Sequence, residues 1–161
     1  MKVAILDTNR PILAPVSRRR AARLLDRWKA AVLHIYPFTL ILKEAKTHVV
    51  TPNLILKLDP GSRTTGLTIV DQTTDEIILA AEIGHRGPQG KAALHKRARS
   101  CRSRRLRKTR YRPARFENRT REAGWLPPSL ESRLANIRTW VRRLLALYPI
   151  KTLAVESVKF D

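Results

Sequence analysis

Between Lys91 and Arg121 the chain carries 14 basic residues and a single acid, Glu117. This segment limits every fold that the rest of the chain can adopt. Leu94, Ala98 and Cys101 give it a faint apolar stripe, and after them cations occupy every helical face until Pro113. A helix without an apolar stripe has nothing to bury against a core. Arginine favours helix, but like charges four residues apart oppose it. The segment is therefore expected to stay disordered until phosphates surround it. Any core must be assembled from the sequence on either side, with the basic run as an insertion.

The segment also dominates the electrostatics. Thirty-three Lys and Arg face 13 Asp and Glu, a formal charge of +20. A compact fold with that excess repels itself, and a polyanion is the natural partner. Closely spaced arginines can fork onto successive phosphates. Aromatic residues are only 6% of the chain, so contacts to phosphate and sugar are expected rather than base stacking. Charge does not say whether the partner is DNA or RNA. A solvated charged helix or a localisation signal is the plain alternative.

Several classes are excluded. One cysteine, Cys101, rules out an internal disulfide and a multi-cysteine zinc site. His34, His48, His85 and His95 show no H-x-x-x-H spacing. No run approaches the roughly 20 apolar residues of a membrane span, and the start is too short in apolar residues for a signal peptide. The expectation is a cytoplasmic protein, nucleoid-associated when bound to DNA, with no membrane partner.

Flanking the basic run are periodic segments. Residues 2–6 (KVAIL) read as a strand. Ser17 is placed to cap a helix over 18–30, with Ala21, Leu24, Leu25 and Trp28 on one face and Arg18, Arg19, Arg20, Arg23 and Arg27 around the remainder. Residues 31–42 read as strand broken at Pro37. Residues 54–59, 65–71 and 76–83 read as a three-stranded antiparallel meander, its first turn made by Pro60-Gly61-Ser62. After the hard break of Gly124 to Pro128, Ser129 is placed to cap a helix to about Leu147. Leu130, Leu134, Ile137, Val141, Leu144 and Tyr148 form its buried face. Residues 151–156 are a last strand.

Asp59 and Glu156 each close an apolar strand, at the rim of a sheet. Two such carboxylates on neighbouring strands can hold Mg2+ and activate water for phosphodiester cleavage. Asp before Pro-Gly is equally a favoured turn residue. Asp7, after Val3 to Leu6, looks the same as Asp59.

In register along the chain, the segments LDTNRPILAP (from Leu6), YPFTLIL (from Tyr36), LKLDPGSRTTGLTIV (from Leu56), RSRRLRKTRYRPARF (from Arg102), GWLPPSLESR (from Gly124) and AVESVKFD (from Ala154) resemble the N-terminal part of the IscB family. These are transposon-encoded RNA-guided nucleases related to type II CRISPR effectors. The resemblance implies an α/β fold: a partial ribonuclease-H-like (RuvC) mixed sheet, an inserted arginine-rich bridge helix and a small N-terminal α+β domain. The parts are residues 1–52, named after a P-L-M-P motif that here reads PILAP; 53–87, the first RuvC segment; 88–121, the bridge helix; and 122–161, the second RuvC segment. It implies Asp59 and Glu156 as catalytic and Mg2+-binding positions. It implies guide-RNA contacts by Arg97, Arg99, Arg102, Arg104, Arg105, Arg107, Lys108, Arg110, Arg112 and Arg115, joined by Arg18, Arg19, Arg20 and Arg23. Target DNA would be met through the RNA–DNA heteroduplex.

The family continues with an HNH domain and a third RuvC segment, which these 161 residues do not hold. The expectation is a truncated chain that binds RNA without cleaving DNA by itself, with a split enzyme completed by a second chain as a further possibility, and a last strand left as an uncovered edge. The rival reading is a non-catalytic basic RNA-binding protein, a remnant or of ribosomal type.

Overall fold

The computed structural model describes residues 1–46, 51–107 and 120–157. It is a mixed α/β structure in two compact units: Met1–Gly84 with Ile137–Asp161, and His85–Asn136.

The first unit opens with β1 (Lys2–Leu6), β2 (Val16–Ser17), α1 (Arg18–Asp26), β3 (Ala30–His34) and β4 (Thr39–Leu42). These form a sheet of order β2-β1-β4-β3, with β1 parallel to β4. The expected break at Pro37 is a hairpin loop between β3 and β4, because proline has no N–H to give a ladder. The unbroken apolar run of β1 has a structural reason. Val3 and Ile5 join a cluster with Leu13, Ala21 and Leu40, whereas Ala4 and Leu6 join the core of the second sheet. A strand buried on both faces reads as continuous rather than alternating.

The Ser17 hydroxyl caps α1, accepting from the Arg20 amide at 3.3 Å. The helix ends at Asp26, sooner than periodicity predicts. Trp28 takes a left-handed φ of 57°, its amide donates to the Leu25 carbonyl, and the Lys29 amide donates to Leu24. This paired closure ends a helix. It also corrects the place of Trp28. The 3.6-residue period no longer applies there, so the ring is 78% exposed instead of packing beside Leu24. Lys43 lies over it at 5.0 Å.

The second sheet contains β5 (Leu54–Pro60), β6 (Thr64–Asp71), β7 (Ile77–Gly84) and β8 (Ile150–Val155). Its order is β7-β6-β5-β8: an antiparallel meander with β8 added parallel to β5. Leu54, Leu56 and Leu58 alternate onto the core face with Leu67, Ile69, Leu79 and Ile83. Leu144, Leu147 and Tyr148 cover that face. Burial of Tyr148 pushes its hydroxyl up to about 12, because the charged form would lose its water.

Among the described residues β8 is an edge, as expected. Leu153 and Val155 stand in register with buried Leu56 and Leu58, yet are 48% and 56% exposed.

The second unit holds α2 (Gly87–Leu106) and the start of α3 (Pro128–Leu145). In α2, 20 residues form a helix in which no side chain is buried. Leu94 is 63% exposed and Cys101 is exposed, so the faint stripe seen in the sequence is not buried. The α3 start corrects one assignment. The carbonyl of Pro127 accepts from the Leu130 and Glu131 amides at 2.8 and 3.1 Å, and Pro128 occupies the first helical position. Ser129 therefore lies inside the first turn and is not the cap. Proline suits that first position because its missing N–H would have no helical partner anyway.

Candidate functional site

Two strands carry the carboxylate pair. β5 and β8 run parallel with Leu58 opposite Val155, and the Glu156 amide donates to the Leu58 carbonyl at 2.9 Å. Because strand side chains alternate, the residue after Leu58 and the residue after Val155 both turn away from the core. Asp59 and Glu156 thus meet at the carboxyl ends of adjacent strands, where open sheets tend to bind ligands. Both are exposed and line one shallow cleft of about 390 Å³.

The cleft includes residues that the sequence did not single out: Lys57 and Thr68 on its walls, and Gly66 beside Asp59. Gly66 is the cross-strand partner of Asp59. A Cβ there would lie 3.5 Å from the Asp59 Cβ and 3.8 Å from its Oδ2. Glycine keeps the flank of the carboxylate open. Strand alternation was enough to put Lys57 on the face of Asp59, but the pairing of Gly66 needed the register.

Asp59 and Glu156 are the carboxylates of this cleft that could hold a divalent cation. Mg2+ suits such a pair, since it often takes one or two protein carboxylates and completes its shell with water and substrate phosphate. Among the described residues no group of three His, Cys, Asp or Glu is assembled for a metal.

Asp7 ended a strand just as Asp59 did, but its surroundings differ. It is buried, its Oδ2 accepts from the Lys46 amide at 3.1 Å, and its backbone closes a turn with Arg10 and Pro11. Asp7 organises a loop.

The cationic candidates fall on two helices. Arg97, Arg99, Arg102, Arg104 and Arg105 lie on α2 and Arg107 at its end, all exposed. Arg104 and Arg105 occupy the last turn, where cations complement the helix dipole. Arg18, Arg19, Arg20 and Arg23 are exposed on α1; Arg18 reaches the Met1 sulfur at 3.8 Å. Lys108, Arg110, Arg112 and Arg115 lie outside the described residues. Past them, Arg121 stacks over the Trp125 ring at 3.4 Å. No helix among the described residues is long and apolar enough to cross a membrane.

A family model described as RRXRR protein matches residues 3–161. Residues 104–108 read Arg-Arg-Leu-Arg-Lys, which follows the lettering of that description with lysine in the last place. No curated protein matches the chain.

Proposed function

Because the chain belongs to the RRXRR protein family, we propose that it is the guide-RNA-binding portion of an IscB-like RNA-guided DNA endonuclease. The observation that carries this reading is α2, a 20-residue helix with no buried side chain and cations on all faces. It is inserted between a meander and the helix and strand that extend the same sheet. A cationic helix of this kind gains most of its stability from a polyanion, and arginine forks match successive phosphates. In this reading residues 1–52 are the P-L-M-P-like domain, 53–87 and 122–161 are RuvC segments, and 88–121 is the bridge helix. Target DNA is engaged through its heteroduplex with the guide, which the protein holds by shape. The site of action is the cytoplasm and the nucleoid.

Asp59 and Glu156 are the residues that would hold Mg2+, with Gly66 keeping the approach to Asp59 open. The ion would supply a water of lowered pKa and neutralise charge on the phosphodiester. Two carboxylates are a partial centre, so this chain alone binds RNA without cutting DNA.

The test is to purify the chain, extract the nucleic acid bound to it and sequence it. One discrete, structured RNA species is expected. A heterogeneous mixture of cellular RNA would favour the non-catalytic rival. Metal binding is checked separately by calorimetry, where Asp59→Ala should abolish a weak Mg2+ signal. Mg2+-dependent DNA nicking by the isolated chain, lost in Asp59→Ala, would overturn the claim of inactivity.

A further inference from the structure

We propose that a second cleft, within the His85–Asn136 unit, binds a phosphate group through Arg86, Lys91 and Arg133. The proposal deepens the RNA-binding reading by placing one backbone phosphate away from the arginine run of α2. The cleft is an open groove of about 990 Å³. One wall is the start of α3, where Ser129, Ser132, Arg133 and Asn136 follow an i, i+3, i+4, i+7 spacing and so share one helical face. The other wall is the start of α2, where Gly87, Gly90 and Lys91 recur at the same spacing.

The chemistry of the walls selects an anion. Three cations line the cleft, and no Asp or Glu is among its lining residues. Glu131, the acid of the first turn of α3, is not on this face. Hydroxyls of Ser129 and Ser132 and the amide of Asn136 add neutral donors that can complete the shell of a phosphate. A Cβ added at Gly87 or Gly90 would meet nothing within 4 Å, so the α2 wall leaves room for a ligand. α2 starts without a side-chain cap and with no acid in its first turn, which leaves its positive end uncompensated.

His85, on the rim, reports the local field. Its pKa is lowered, first by burial and then by the Arg133 guanidinium. A phosphate bound beside Arg133 opposes that field and raises the imidazole pKa. The cleft, its lining and the helical spacing carry the site; His85 supplies a probe.

The experiment uses the full chain and two probes, inorganic pyrophosphate and a single-stranded RNA oligonucleotide. His85 is followed by NMR during titration with pyrophosphate. A saturable shift with a raised His85 pKa is expected, and Arg133→Gln should weaken pyrophosphate by about tenfold, the worth of one charge-assisted hydrogen bond. Ser132→Asp, an exposed position, should abolish binding by placing a carboxylate in the cleft, and it keeps the test alive if Arg133→Gln does not fold. Absence of a saturable shift, or unchanged affinity in both variants, overturns the site. The RNA arm separates the two claims. Arg133→Gln should lower the salt slope of RNA affinity by roughly 0.7, one phosphate contact. An unchanged slope beside a lost pyrophosphate site overturns the RNA source and leaves a site for a free phosphate compound. Pyrophosphate binding in a chain that fails to bind RNA would sink the RNA reading while the phosphate site stands.

Discussion

The sheet around β5 and the helix α2 are built by opposite means. The four strands from β5 to β8 bury Leu54, Leu56, Leu58, Leu67 and Ile69 under Leu144 and Tyr148. α2 buries nothing. The first region owes its shape to water leaving apolar surface. The second owes its shape to local hydrogen bonds alone, opposed by its own charge. The difference teaches how the candidate residues are mounted: the two carboxylates stand on a packed sheet, and the arginines of α2 stand on a helix with no buried residue.

That contrast makes a paired prediction with the largest effect. Leu144→Ala should cost about 3 kcal/mol by chemical denaturation, the usual loss for a buried leucine. Leu94→Ala, on α2, should cost under about 0.5 kcal/mol, as exposed substitutions do. Equal losses would break the comparison and mean that α2 is packed after all.

Tyr148 sharpens it through pH. Its pKa is raised from 10.0 to about 12 by burial. The unfolded chain ionises first, so stability is fully present below pH 10 and declines as pH rises through the folded value. Thermal melts of Tyr148→Phe should lack that alkaline decline. A decline of equal size in the variant would assign it to other groups.

Smaller effects separate a helix closed at both ends from one without a side-chain cap. α1 has only nine residues but is capped by Ser17 and closed by the turn at Trp28. Ser17→Ala should cost about 1 kcal/mol by denaturant melt. Far-ultraviolet circular dichroism should show α2, which has no side-chain cap, gaining helix when RNA is added. No added helix would mean that α2 is fully formed by itself.

Much of this fold was legible in the sequence because the signals were local and periodic. β1, the meander and β8 lie within about a residue of their expected limits, since alternating or continuous apolar runs report burial directly. Trp28 was misplaced because its fate depends on where α1 stops, which is set by backbone bonds of Leu24 and Leu25. Asp7 and Asp59 were indistinguishable because their difference is tertiary. Asp7 is held by the Lys46 amide, 39 residues away, whereas Asp59 gains Gly66 and Glu156 as neighbours only through strand register. The cleft flanked by Arg86 and Arg133 was hidden for the same reason, since its walls are 40 residues or so apart in the chain.

The most direct measurement of the central claim is RNA affinity across a salt series, for the natural chain and for a variant with Arg97, Arg99, Arg102, Arg104 and Arg105 replaced by Gln. Each lost phosphate contact should remove roughly 0.7 from the slope of log affinity against log salt, while the denaturation midpoint of the sheet stays where it was. An unchanged affinity and slope in that variant would contradict α2 as the surface that holds RNA.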